Sequence, residues 1–174
     1  MGHLMLVLSP SRHSPRSIDL ALSMVQTSKR PLLAVFVMDM KVPDAIADHI
    51  VDIGFLGDKV SDQLESTIHR EYESRGRREL EEVKERARGL GIVCETMVRK
   101  GDFVEEILKI AEEKAIEDMV VSRAERSNLS RKLFGSAVNE LLSRATFPIM
   151  VVSDTTVESH KEPGGGKPAG GGQP

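Results

Sequence analysis

The chain has 174 residues, of which 40% are hydrophobic and 29% charged, and its formal net charge is -3. This length and composition predict one globular domain with a single core. The net negative charge and an aromatic content of only 3% argue against binding to nucleic acid or to an anionic membrane surface. No apolar run approaches the roughly 20 residues that span a bilayer. The only cysteine, Cys94, leaves no intrachain disulfide and favours a cytoplasmic protein.

The two ends of the chain differ in composition from its middle. Residues 1–3 lack the charged-then-apolar order of a signal peptide and are compatible with an expression remnant. Pro163 to Pro174 consists almost entirely of glycine and proline, so it cannot bury apolar area. We therefore predict a domain over residues 4–153 and a disordered tail over residues 154–174.

The first third of the chain has a strand-helix-strand pattern. Leu4 to Leu8 and Leu32 to Met38 are continuous apolar runs, which are typical of strands buried on both faces of a parallel sheet. Ser14-Pro15 begins a helix between them, because serine caps a helix and proline fits its first turn. The apolar face of this helix recurs at positions i, i+3, i+4 and i+7 and consists of Ile18, Ala21, Leu22 and Val25.

An irregular segment and a long helix come next. Asp39 to Gly57 has no clean period and is predicted as an excursion with a helical turn near Ala45 to Val51. A helix is predicted from Asp58 to Arg88, with an apolar face at helical spacing in each half. Gly76 separates the halves and predicts a bend, because an interior glycine costs about 1 kcal/mol relative to alanine.

The second half of the chain repeats the alternation of strands and helices. Strands are predicted at Ile92 to Val98, Asp118 to Val121 and Pro148 to Val152. Asp102 and Glu105 form a capping-box-like start to one helix. The last helix is predicted over Ala137, Val138, Leu141, Leu142 and Ala145.

Five strands alternating with four helices predict an α/β fold, with a mainly parallel, doubly wound sheet between two helical layers in a Rossmann-like, three-layer sandwich. In such sheets ligands bind beyond the carboxyl ends of the strands, where the winding reverses. The longest loop that follows a short buried strand runs from Ser122 to Ser136. We predict that a small ligand, if the chain binds one, occupies this loop.

Gly135-Ser136 is predicted to lie where the last helix begins. Glycine would let the backbone approach a ligand, and free N–H groups at a helix N-terminus bind anions such as phosphate. The alternative is that Gly135 only tightens the turn and Ser136 only caps the helix. The spacing leaves both interpretations open.

The order of elements and this loop together resemble the universal stress protein family. The resemblance covers nearly all of Leu4 to Ser153, and it is strongest from Asp118 onward, in DMVVSRAERSNLSRKLFGSAVNELLSRATFPIMVVS. Nucleotide-binding members carry G-x2-G-x9-G-[ST] there. Ser122 stands at the first glycine of this pattern, Glu125 stands at the second, and Gly135-Ser136 matches the final pair with the spacing kept.

The resemblance implies an adenine-nucleotide alpha-hydrolase-like fold and a site for ATP or another adenine nucleotide, with or without magnesium. Carried onto this sequence, the candidate site residues are Ser9, Val37, Val121, Ser122, Arg123, Glu125, Gly135, Ser136 and Ala137. Three of them, Ser9, Ser122 and Glu125, depart from the family pattern. Ser9 replaces an aspartate at the end of the first strand, and Glu125 places a carboxylate near the phosphates.

The charge on Glu125 opposes nucleotide binding. At about 4 Å and an effective dielectric constant of 20, each unit-charge repulsion is roughly 4 kcal/mol before screening. Four nearby positive charges either offset this repulsion or belong, together with Glu125, to a solvated loop. They are the charges of Arg123, Arg126, Arg131 and Lys132. The departures at Ser9, Ser122 and Glu125 favour weak or absent nucleotide binding.

No catalytic or metal-binding constellation is predicted. His13, His49 and His69 are scattered without the spacing of metal ligands, and His3 and His160 lie near the termini. We therefore expect no enzyme activity, although the sequence leaves weak ATP hydrolysis open.

The final apolar strand predicts a partner. Pro148 to Val152 would lie at the edge of the sheet, and an unpaired edge is a template for another chain. In the resembled family this strand commonly joins two subunits in antiparallel fashion. We predict a homodimer through Ile149, Met150, Val151 and Val152.

Three functions are therefore compared. The first is an ATP-binding universal-stress-type regulator, and the second is a dimeric interaction module of the same fold with weak or absent nucleotide binding and unknown protein partners. The third is a nucleotide hydrolase, for which the sequence shows no base, metal ligands or nucleophile. Ser9 and Glu125 favour the second.

Overall fold

The computed structural model describes residues 2–8, 15–41, 43–44, 48, 50, 58–122, 128–153 and 157–160. For residues 58–61 and 128–135 it describes the helical backbone alone. The predicted helical turn near Ala45 to Val51 lies largely outside the described residues. None of the described helices is both long and apolar enough to cross a membrane.

The first three elements form as predicted. Strand β1 covers His3–Leu8, helix α1 covers Pro15–Ser28 and strand β2 covers Leu32–Met38. All seven side chains of β2 are buried, because this strand lies inside a parallel sheet with helices on both faces. The predicted apolar stripe of α1 is buried in the structure. His3 belongs to β1, one residue before the predicted start of the domain.

Helix α2 runs continuously over Asp58–Gly89 and leads to strand β3 at Cys94–Lys100. Gly76 lies at the point where α2 crosses the ring of Phe36 on β2. A Cβ atom built on Gly76 would stand 2.2 Å from an edge carbon of that ring. The glycine therefore serves close helix-sheet packing, which explains why the helix retains a residue that weakens it.

The remaining elements are α3 at Phe103–Glu113, β4 at Ile116–Ser122, α4 at Asn128–Arg144, β5 at Ile149–Val152 and β6 at Val157–His160. Asp102 caps α3 as predicted, because its side chain accepts hydrogen bonds from the backbone of Val104 and Glu105. The side chain of Glu105 instead pairs with Arg144, at 2.6 Å.

The strand order is β3-β2-β1-β4-β5-β6, and every pair is parallel except β5 with β6. Residues on opposite faces of the sheet belong to two hydrophobic clusters. One cluster includes α1 and α2, and the other includes α3 and α4. The predicted three-layer, doubly wound α/β architecture is confirmed.

Strand β6 corrects the prediction of five strands. It pairs antiparallel with β5, from Val152 opposite Val157 to Ile149 opposite His160. Residues 157–160 fall within 154–174, the segment predicted as a disordered tail. Their sequence, VESH, shows neither an apolar run nor the strong alternation that would indicate a strand. Backbone hydrogen bonds to the buried strand β5 hold β6 in the sheet, because the side chains of β6 contribute little packing.

Candidate functional site

The winding of the sheet reverses between β1 and β4. From β1 the chain builds outward through β2 and β3, and it then returns to place β4 on the other side of β1. In doubly wound sheets ligands bind at this reversal, beyond the carboxyl ends of the strands. The candidate site therefore lies where β2, β1 and β4 end, as the sequence predicted.

Three predicted site residues meet at this edge of the sheet. Val121 pairs in register with Val7 on β1, and Ser122 follows it as the last residue of β4. Val37 stands one residue beyond Phe36, the partner of Leu8. All three side chains are buried. A ligand at this edge would therefore meet mainly backbone groups from Val37, Val121 and Ser122.

The backbone of Val37 already has an internal partner. Its carbonyl accepts a hydrogen bond from the N–H of Asp39, at 3.1 Å. This bond turns the chain away from the sheet directly after β2. This carbonyl therefore already accepts one hydrogen bond before any ligand is bound.

The last helix begins eight residues earlier than the sequence predicted. Helix α4 starts at Asn128, so Gly135 and Ser136 lie two turns inside it and not at its N-terminus. Backbone N–H groups inside a helix are bonded to carbonyls four residues earlier and do not point at a ligand. The structure places Gly135 and Ser136 on a helical turn, and their role in binding an anion stays a prediction. Ala137 is half-buried and packs against the core.

The remaining predicted nucleotide contacts cannot be placed. Ser9, Arg123 and Glu125 lie outside the described residues. Their proposed roles stay predictions from the sequence.

Asp39 is a site residue that the sequence reasoning did not single out. Its buried carboxylate accepts hydrogen bonds from the N–H groups of Lys41, at 3.0 Å, and Phe103, at 3.1 Å. Phe103 is the first residue of α3, so this one side chain joins the end of β2 to the start of α3. An acidic residue directly after a buried strand was the available signal.

An ion pair lies beside this junction. Lys41 Nζ stands 2.5 Å from Asp102 Oδ2. The hydrogen bond from Lys41 lowers the pKa of Asp102, and the two backbone N–H groups that the carboxylate caps act in the same direction. Asp102 therefore stays ionised, and it does not serve as a proton donor near neutral pH.

Tyr72 contributes a buried hydroxyl group near the same edge. Its ring packs against Phe36 with centroids 5.5 Å apart, and 7% of the residue is exposed. Burial raises the pKa of Tyr72, and the nearby Asp39 carboxylate adds to this effect. A hydrogen-bonding interaction with the backbone of Asp39 opposes this rise without cancelling it. The hydroxyl is thus a neutral polar group, not a candidate base.

Strand β5 is not an edge strand, which corrects the prediction that its open edge attracts a second chain. It pairs with β4 on one side and with β6 on the other. The side chains of Ile149, Val151 and Val152 are buried within the chain, and that of Met150 is partly buried. These four residues would form a subunit interface only if β6 left β5.

Comparisons with known proteins bear on the family and the fold of this chain. The profile of the Universal stress protein family matches residues 1–153. The universal stress protein YxiE of Bacillus subtilis is 32% identical over 85 residues, which cover 49% of this chain and 57% of that protein. The chain thus matches little more than half the length of that relative.

Solved structures share the fold at low sequence identity. A universal stress protein family member from Burkholderia pseudomallei superposes with a TM-score of 0.61 at 18% identity, covering 87% of this chain and 95% of that one. A family member from Arabidopsis thaliana with AMP bound gives a TM-score of 0.56 at 14% identity, covering 88% and 92%. Because the family profile covers most of its length, this chain belongs to the universal stress protein family.

Proposed function

We propose that this chain is a universal-stress-type regulatory protein that acts as a dimeric interaction module and binds adenine nucleotides weakly or not at all. The observation that carries the proposal is the position of Gly135 and Ser136 inside α4. A phosphate group gains its binding energy from free N–H groups, and helical hydrogen bonds occupy those of this pair. The protein would then act through its surfaces and not through an enzymatic step.

The first glycine of the family pattern supports the same proposal. Ser122 stands at that position, and only 4% of it is exposed. Any side chain at this position takes up space that a glycine would leave open beside the backbone. Loss of this space and of the free N–H groups would remove two separate contributions to nucleotide affinity.

A second candidate function is ATP binding at the same edge. Solved universal stress proteins with TM-scores of 0.53 to 0.56 to this chain carry cAMP, AMP or dAMP. Those neighbours are at most 17% identical, and they favour an adenine nucleotide as the first ligand to test. Hydrolysis of the nucleotide is the least supported function, because the Asp39 carboxylate at this edge already accepts two backbone hydrogen bonds, from Lys41 and from Phe103.

Titration calorimetry distinguishes these functions. We expect ATP, ADP and AMP, with and without Mg²⁺, to bind the nucleotide-free protein with a dissociation constant weaker than about 100 µM, or about -5.5 kcal/mol. Tighter binding of any one nucleotide would establish the second candidate. The double variant Ser122→Gly, Glu125→Gly serves as the comparison, and we expect it to bind ATP more tightly than the wild type.

Dimerisation is proposed through β5 after release of β6. The four residues of β6 are all exposed, so little apolar burial holds that strand in place. Two β5 strands from two chains would pair apolar residues instead. Strand β6 then acts as a competitor that weakens self-association without preventing it.

Truncation after Ser153 tests this competition. We expect the shortened chain to dimerise at least about tenfold more tightly, since releasing a short strand costs on the order of 1–2 kcal/mol. Light scattering and sedimentation at matched concentrations give the two dimer dissociation constants. A control truncation after His160 keeps β6 and should match the full chain. The idea fails if both truncated chains self-associate equally.

A further inference from the structure

Three side chains, those of Asp44, Glu65 and His69, come together beside the first half of α2. Glu65 and His69 stand one helical turn apart on α2, and Asp44 reaches them from the segment after β2. His69 Nε2 lies 2.8 Å from Asp44 Oδ1 and 3.9 Å from Glu65 Oε1. The three potential ligand atoms all lie within 4.8 Å of one another. We propose that Asp44, Glu65 and His69 bind a transition-metal dication of the zinc class.

The ligand spacing is close to what such an ion requires. Zinc binds imidazole nitrogen and carboxylate oxygen at about 2.0–2.2 Å, so neighbouring ligands of a tetrahedral site stand about 3.4 Å apart. The observed separations bracket this value, and adjustments of about an ångström would complete three bonds. Side-chain exposures of 28% for His69 and about half for each carboxylate leave room for this movement. Water would supply the fourth ligand.

A cation would satisfy more of these groups than the hydrogen bond between His69 and Asp44 does. Two carboxylates converge on one imidazole nitrogen, and a neutral ring has at most one proton to donate there. The hydrogen bond to Asp44 uses that proton, so Glu65 Oε1, which lies 3.9 Å from the same nitrogen, accepts no hydrogen bond from the ring. A dication in place of the proton would satisfy both carboxylates and accept the nitrogen lone pair.

The donor set also selects the class of ion. Imidazole with carboxylates suits Zn²⁺, Ni²⁺, Cu²⁺ or Co²⁺, whereas Mg²⁺ prefers oxygen ligands in octahedral geometry. The site is therefore distinct in chemistry from a magnesium ion carried by a nucleotide. A bound ion would also join α2 to the segment after β2. Asp44 belongs to that segment, and its backbone N–H donates a hydrogen bond to the carbonyl of Met40 in the turn directly after β2. Binding should stabilise this attachment of α2, since the unfolded chain does not hold the three ligands together.

Cobalt and zinc titrations of the full-length, metal-free protein test the proposal. We expect Co²⁺ to produce the visible d–d absorption of a low-coordinate site, Zn²⁺ to displace it, and Zn²⁺ to raise the unfolding midpoint. His69→Asn should abolish the cobalt absorption, and Glu65→Gln should weaken Zn²⁺ binding at least about tenfold. The ligands are exposed enough for both variants to fold, which circular dichroism will check.

His160→Asn is the matched control. His160 also lies beside a carboxylate, with Nε2 3.4 Å from Glu158 Oε2, but it belongs to β6 and no described cluster of three ligands includes it. This variant should keep the cobalt spectrum and the Zn²⁺ affinity of the wild type. Absence of a cobalt spectrum in the wild type overturns the proposal. So does an unchanged spectrum in His69→Asn, or an equal loss in the His160 control.

Discussion

Replacing Gly76 with alanine should lower the free energy of unfolding by roughly 2–3 kcal/mol. The new Cβ would lie 2.2–2.4 Å from three ring atoms of Phe36, far inside van der Waals contact. Phe36 is fully buried, and Tyr72 packs against its ring, so the ring cannot move aside freely. The steric cost should exceed the gain of about 1 kcal/mol that alanine brings to a helix interior. Urea denaturation of the two proteins measures the difference.

Gly89→Ala provides the control within the same helix. A Cβ on Gly89 would meet no atom within 4 Å, so alanine there should leave stability unchanged or raise it by up to about 1 kcal/mol. A Phe36→Leu background gives a second comparison, because the smaller side chain should relieve part of the Gly76→Ala penalty. If Gly76→Ala unfolds at the same urea concentration as the wild type, the close approach of α2 to β2 is wrong.

Strands β1 and β2 and the buried face of α1 could be predicted because their signal is local. Leu4 to Leu8 and Leu32 to Met38 are apolar at every position, and only a strand covered on both faces buries them all. The stripe of α1 likewise follows from its spacing. Right-handed crossovers then leave few ways to wind such elements into a sheet. The location of the candidate site at the β1–β4 reversal follows from the same rule.

The features that could not be predicted depend on contacts between distant parts of the chain. Strand β6 has four exposed side chains, and its pairing is decided by the backbone of β5. The role of Gly76 appears only when α2 is placed across Phe36. The role of Asp39 depends on the hydrogen bond that its carboxylate accepts from the N–H of Phe103, which is 64 positions away in the sequence.

The start of α4 differs from the prediction, although Gly135-Ser136 keeps the spacing of the family pattern. Gly135-Ser136 fits the family pattern, and glycine is a common residue next to a helix end. The polar residues before it carry no clear period, so the sequence placed them in a loop. The structure extends α4 back to Asn128, which encloses the glycine in a regular helix. The motif predicts the position of a candidate site, and the backbone conformation at that position determines which N–H groups are free to bind a ligand.

Glu79→Gln should stabilise the protein increasingly as the pH rises from 5 to 8. Glu79 is buried on α2, and this burial raises its pKa to about 7 from the ordinary value of 4.5. Arg75 Nε lies 3.4 Å from Glu79 Oε1 and opposes that shift only in part. The protonated carboxyl group is therefore the form that the folded state favours.

The sign of the effect follows from this raised pKa. Below pH 4.5 the carboxyl group is protonated in both the folded and the unfolded chain, and folding costs nothing extra. Between pH 4.5 and 7 the unfolded chain ionises first, so stability is lost progressively. A shift of this size corresponds to about 3 kcal/mol in full, most of it between pH 5 and 8. Glutamine cannot ionise, so the Glu79→Gln variant does not lose stability in this way as the pH rises.

Urea denaturation of the wild type and Glu79→Gln at pH 5 and pH 8 measures the effect. We expect the advantage of the variant to be about 2–3 kcal/mol larger at pH 8 than at pH 5. Glu81→Gln removes an exposed carboxylate from the same helix and should change stability little at either pH, because solvent screens its charge. An advantage of Glu79→Gln that is equal at the two pH values would mean that the carboxyl group of Glu79 already ionises freely in the folded chain. Glu79 would then not be the group that makes the stability of this helix depend on pH.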